Sequence, residues 1–202
     1  MGTGTIRMDQ HNGYHILEMT ARSARLFDLF FKVRDYFKSV VRPGFTSFQY
    51  YEKKIHEGKY RRHDQVWYDL DQHKITYKKN GELGSPHYAV PPIFDPLSAL
   101  HAYRFLCPKE GNCTLQATDG KRIDELTVIR LGEEQLNVGG RQYEAIKVMP
   151  VWQRMQGVFR KKKDGHVYVW FEKYPPFRPL KMEADIFIGK VVAKLVDAKG
   201  AS

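Results

Sequence analysis

Apolar and polar residues alternate with a period of two along most of this chain, and short turn signals separate the runs. In 60–70, Val66, Tyr68 and Leu70 alternate with Gln65, Trp67 and Asp69. Successive side chains of a strand point to opposite faces, so a chain patterned this way must bury one face of a sheet. Comparable runs cover 14–21, where Leu17, Met19 and Ala21 form one row, and 45–55, 75–77, 115–118, 123–131, 143–151, 167–171, 180–188 and 191–196. Asn12-Gly13, Glu57-Gly58-Lys59, Asn80-Gly81, Asp119-Gly120, Gly139-Gly140 and Asp164-Gly165 supply the turns, since Gly and Asn tolerate the backbone that tight hairpins need. The pattern predicts an antiparallel meander of roughly ten or more strands.

Two segments depart from it. Segment 24–31 places Leu26, Phe27, Phe30 and Phe31 at helical spacing, predicting a short helix or plug. In 95–106, Asp95 is an N-cap with Pro96 at the first helical position, and Ala99, Leu100, Tyr103 and Leu106 form one apolar stripe. A long twisted sheet with one apolar face and one main helix is expected to curl into a curved sheet or partial barrel, with helix and plug on its concave side. An apolar ligand would lie there against Leu26, Phe27, Phe30, Phe31, Leu100 and Tyr103. At 202 residues the chain can bury a real core, so a single domain over 1–202 is expected, with 198–202 as a frayed tail.

Lys plus Arg number 33 against 23 Asp plus Glu, a formal charge of +10 that favours an anionic partner. The basic clusters are Lys53 and Lys54 with Lys59, Arg61 and Arg62; Lys78 and Lys79; and Arg160 with Lys161, Lys162 and Lys163. Two readings stand: lysines that protect strand edges in water, or a surface that docks on lipid headgroups or lipopolysaccharide. Interleaved Tyr50, Tyr51, Tyr60, Trp67 and Tyr77 could stack bases, yet no nucleic-acid motif accompanies them. No GxSxG, P-loop, GxGxxG or HExxH occurs, and the eight histidines lack metal spacing even where His56 and His63 flank a hairpin. No catalytic residue, cofactor or metal is therefore expected, and the reading leans away from an enzyme. No run reaches 18 apolar residues, so no helix is expected to span a membrane.

Asp95, Ser98 and Arg104 form a polar group, but helix capping accounts for Asp95 and Ser98 without a substrate. Arg34 and Asp35 are adjacent on a strand and so face opposite ways; if Asp35 points inward, Arg104 is its expected partner. Cys107 and Cys113, with five residues between them that include Pro108 and Gly111, would form a disulfide in an oxidising compartment; otherwise they are two buried thiols. The first residues lack the basic and apolar regions of a signal peptide, so either a cytoplasmic protein or a trimmed chain is expected.

Several segments together resemble one bacterial family: 31–39, the strand 48–53 with Tyr60-Arg61-Arg62, Phe94-Asp-Pro-Leu-Ser-Ala-Leu100 with Arg104, and Pro179-Leu-Lys-Met182 with Ile188-Gly-Lys190. This is the family of domain of unknown function 3108, and the likeness runs in order over nearly the whole chain. The resemblance implies export and a periplasmic or envelope location, and no known activity. Its members usually carry a further aromatic-rich strand before the segment equivalent to Gly2-Thr-Gly4. The architecture also resembles curved-sheet carriers of lipoproteins and lipids, an analogy of fold alone. The combined expectation is a monomeric, non-enzymatic periplasmic protein that binds or carries an apolar or envelope-derived ligand. The alternatives are a cytoplasmic single-strand nucleic-acid binder and an envelope hydrolase using unrecognised carboxylates.

Overall fold

In the computed structural model, which describes residues 2–28, 31–107, 111–152, 166–186 and 189–194, hairpin follows hairpin as the turn signals require. Gly2–His11 (β1) pairs antiparallel with Tyr14–Ser23 (β2). Asn12 and Gly13 between them have φ of 48° and 79°, the left-handed conformations of a two-residue hairpin turn. Arg34–Val41 (β3), Phe48–Glu57 (β4), Tyr60–Asp69 (β5), Lys74–Lys79 (β6) and Glu82–Leu83 (β7) continue the sheet in sequence order, and His87–Tyr88 (β8) pairs with β6. Pro96–Leu106 (α2) follows, and then Cys113–Thr118 (β9), Ile123–Val138 (β10), Arg141–Trp152 (β11), Val167–Glu172 (β12), Pro179–Ile186 (β13) and Gly189–Lys194 (β14) form a second sheet.

The protein is mainly antiparallel β, as its alternation requires, but its strands are divided between two sheets rather than joined in one long sheet. The reason lies between β8 and β9. Pro91-Pro92 offers no N–H for a ladder, and α2 replaces the hairpin that would have carried the sheet onward. Among the described residues neither sheet is closed into a barrel. The chain forms two compact units, one of Met1–Phe105 with Leu115–Asp124 and one of Leu106–Thr114 with Glu125–Ser202.

In the first unit, Leu17, Val41, Phe48, Tyr51, Val66, Tyr68 and Ile75 of the sheet are buried, together with Leu97, Ala99, Ala102 and Tyr103 of α2. Gly120 is required by this packing, because a Cβ there would lie 2.6 Å from the Tyr77 ring and 2.7 Å from Val66. The predicted helix over 24–31 is a single turn, Arg25–Asp28 (α1). Arg34 ties it to β3 by bonding Asp28, with Nη1 3.0 Å from Oδ1, and the Ser23 hydroxyl donates to the same carboxylate at 2.5 Å.

The second unit has its own core, in which Val138, Ala145, Trp170 and Leu180 pack together. The register sets Trp170 between Lys147 and Lys181, whose ammonium groups lie 4.8 and 4.2 Å from its ring centroid. Its indole N–H donates to Glu134. β10 continues well past residue 131 because a bulge between Arg130 and Gly132 re-registers it against β11, with Gly132 at φ 146°. Cys107 and Cys113 are joined in a disulfide with Cα atoms 5.6 Å apart. Closing so short a loop stabilises the fold by about 2 kcal/mol in the chain-entropy account.

Candidate functional site

The position of α2 follows from its first residue. Asp95 is fully buried, and its Oδ1 accepts from the backbone N–H of Leu97 (2.9 Å) and of Ser98 (3.0 Å). The Ser98 hydroxyl accepts from the Asp95 N–H at 2.9 Å, completing a reciprocal cap. The Ser39 and Ser98 hydroxyls donate to Oδ2 at 2.5 and 2.6 Å, so one carboxylate both starts the helix and bolts it to β3. Burial pushes the Asp95 pKa up, and these hydrogen bonds oppose the rise. At the other end Arg104 Nη1 reaches Met8 Sδ on β1 at 3.7 Å and His101 Nδ1 at 3.0 Å.

Ser39 and Met8 belong to one cross-strand row: Met8, Leu17, Ser39, Tyr51, Val66 and Tyr77 are successive register partners. The helix therefore lies over that row, crossing from β3 to β1. Its rise from 95 to 104, about 14 Å, is enough to cross two strand spacings of about 10 Å in total.

Two residues along each strand, on the same face, the next row reads Ile6, Met19, Phe37, Lys53, Asp64 and Lys79. Its first half is apolar and left open: Ile6 is 39% exposed, and Met19 and Phe37 are half-buried. Met8, at the edge of the covered row, is 37% exposed beside it. The second half of the row is ionic. Asp64 is fully buried, and Arg62 grips it with two nitrogens, Nε to Oδ1 at 2.8 Å and Nη2 to Oδ2 at 2.5 Å. Lys53 Nζ stands 3.3 Å from Oδ2, and the Tyr77 hydroxyl donates to Oδ1 at 3.2 Å. Burial alone would raise the Asp64 pKa, but Arg62 and Lys53 outweigh it and hold the carboxyl below its ordinary range. An apolar strip thus runs directly into two cations that share one carboxylate.

The residues singled out in the sequence are dispersed. Tyr103 is sealed in the core, Leu100 is half-buried and Phe31 is exposed. Phe30 and the side chains of Leu26 and Phe27 lie outside the described residues, as do Lys161, Lys162 and Lys163. Of the first basic cluster, Lys53 and Arg62 turn inward to Asp64. Lys54 and Arg61 face the other way, Lys54 pairing with Glu52 at 3.0 Å and Arg61 bonding the Gly58 carbonyl at 2.8 Å. Tyr51 and Tyr77 are buried, whereas Tyr50 packs with Trp67 on the opposite face; the five aromatics do not make one stacking platform. Arg34 and Asp35 do point opposite ways. Asp35 is buried but accepts from the His56 backbone N–H at 2.9 Å, which corrects the expected pairing with Arg104. A backbone donor on β4 reaches the Asp35 carboxylate, whereas Arg104 lies over β1. His63 is committed to Glu52 at 2.7 Å.

No curated protein matches the chain. Among solved structures it is similar to a beta-barrel-like protein of domain of unknown function DUF1849 from Brucella abortus, whose crystal structure matches with a TM-score of 0.61 at 10% identity. That match covers 96% of this chain and 85% of the other, and at so low an identity it is a likeness of fold. The family model described as protein of unknown function, DUF3108, matches residues 1–196. The ordered likeness seen in the sequence and the match over nearly its whole length agree: the chain belongs to the DUF3108 family.

Proposed function

We propose that the protein is a non-enzymatic binding protein of the bacterial envelope that holds an apolar ligand against the open part of its helix-bearing sheet face. The observation that carries this reading is the Ile6, Met19 and Phe37 row. Three apolar side chains stand in register beside a helix that covers the neighbouring row and stops short of this one. Contiguous apolar surface that a soluble fold leaves uncovered marks a binding site more often than it marks chance. Exposed single apolar residues are ordinary, and it is the alignment across three strands that distinguishes these. The Cys107–Cys113 disulfide supports an oxidising compartment, where such bonds persist.

Met19 lies at the middle of the strip and is already half-exposed, so a charge there is tolerated by the fold and rejected by an apolar ligand. An uncharged naphthyl probe whose fluorescence rises in apolar surroundings is expected to bind the wild-type protein saturably. Met19→Lys should weaken that binding by about tenfold or more, the cost of setting a charge against an apolar group. Equal binding by the two proteins, with their unfolding midpoints unchanged, would place the ligand elsewhere and end this reading.

A further inference from the structure

Resting on that reading, we infer that the ligand is a single-chain anionic amphiphile, of the fatty-carboxylate type, whose chain lies along Ile6, Met19 and Phe37 and whose head meets Lys53. The register makes Lys53 the direct cross-strand partner of Phe37, so the last apolar residue of the strip and the first cation stand side by side on one face. Among the groups in direct contact with one another the charges do not cancel. Lys53 and Arg62 bring two positive charges to the single carboxylate of Asp64, and Arg62 holds that carboxylate through two short contacts. Lys53 reaches it only at 3.3 Å, which leaves an ammonium group with donors to spare.

The Lys53 side chain is 20% exposed whereas that of Asp64 is wholly buried, so a ligand in the strip meets the ammonium before it meets the carboxylate. One surplus positive charge matches a monoanionic head. The apolar part of the row is one side chain wide and about 10 Å from β1 to β3, which accommodates one acyl chain in preference to the two of a diacyl lipid. Lys79 extends the positive end of the same row.

Displacement of the naphthyl probe from the full chain tests this with three ten-carbon compounds that differ only in the head: decanoate, decanol and decyltrimethylammonium. Decanoate is expected to displace the probe at a concentration ~10-fold lower than decanol, and the ammonium compound to be the weakest. Lys53→Met should remove the advantage of decanoate over decanol. In the wild-type protein, where folding of a variant is not at issue, the same advantage should shrink between 20 and 500 mM salt, since the head lies near water. Equal displacement by decanoate and decanol overturns the anionic head, an advantage that survives in folded Lys53→Met overturns the seat of that head at Lys53, and either result leaves the apolar site intact. A probe that does not bind at all overturns both.

Discussion

Asp64→Ala is expected to destabilise the protein by about 3 kcal/mol, because it leaves two cations facing a buried site from which the carboxylate they share has gone. The figure is set below the full cost of stranding buried charge, since Lys53 and Arg62 are each 20% exposed at the side chain and keep some hydration. Urea unfolding at neutral pH measures it. Lys53→Met, by contrast, should change stability by less than ~1 kcal/mol, because Arg62 still neutralises Asp64 with two contacts. The Asp64 pKa is depressed in the folded protein, so its stabilisation is present above the ordinary carboxylate range and is lost as pH falls through the folded value. An Asp64→Ala protein as stable as wild type would mean that the cluster is hydrated and the ionic half of the row is not a built feature.

A second large effect concerns His101, which is 2% exposed on the buried side of α2. Burial, reinforced by Arg104 on its own helix and by His15 on β2, pushes its pKa down to about 3. Its Nδ1 takes the hydrogen bond from Arg104, which assigns the proton of the neutral ring to Nε2. A folded pKa below the unfolded value means that the stabilisation is complete above about pH 6.5 and is lost on acidification, as the unfolded chain takes up a proton that the folded protein refuses. The slope is about 1.4 kcal/mol per pH unit for this one group. Asp95 opposes it at the acid end: its folded pKa is raised, so the cost of burying its charge is relieved as pH falls through that value. Comparing wild type with His101→Gln at each pH cancels the Asp95 contribution. The difference in unfolding free energy between the two proteins should shrink by about 3 kcal/mol from pH 6.5 to pH 4. Parallel stability profiles would show that His101 titrates normally and that the helix is not seated as described.

Much of the fold was legible because its turns are chemically explicit. Asn12-Gly13 and Asn80-Gly81 mark hairpins for a reason local to four residues, and Asp95-Pro96 starts a helix for a reason local to three. β1 was not legible as a strand, because Gly2-Thr-Gly-Thr5 has too little bulk to register as a sheet face, and its pairing with β2 is settled by the hairpin. The far half of β10 was obscured by Glu133-Glu134-Gln135, whose polarity resembles a loop until the bulge at Gly132 is known.

The candidate site was the least legible part, because it is a property of register. A bulge between Val40 and Val41 shifts the pairing of β3 with β4 by one residue. Without that shift Phe37 would oppose Glu52, and Lys53 would point to the other face. Counting basic residues along the chain put Lys53, Lys54, Arg61 and Arg62 into one cluster, whereas the pleat divides them between a row that ends an apolar strip and a face that does not. The disulfide was legible as far as spacing can take it, and in the structure the two sulfurs are bonded.

The claim on which the rest depends is that a ligand lies on the Ile6, Met19 and Phe37 strip. Native mass spectrometry of the full-length protein, purified without detergent from the envelope of its own cells, tests it most directly. A one-to-one adduct is expected whose released mass and negative-ion spectrum are those of a long-chain carboxylate, present in wild type and absent from Met19→Lys prepared in the same way. A bare protein in both preparations, or an adduct carried equally by both, would contradict it.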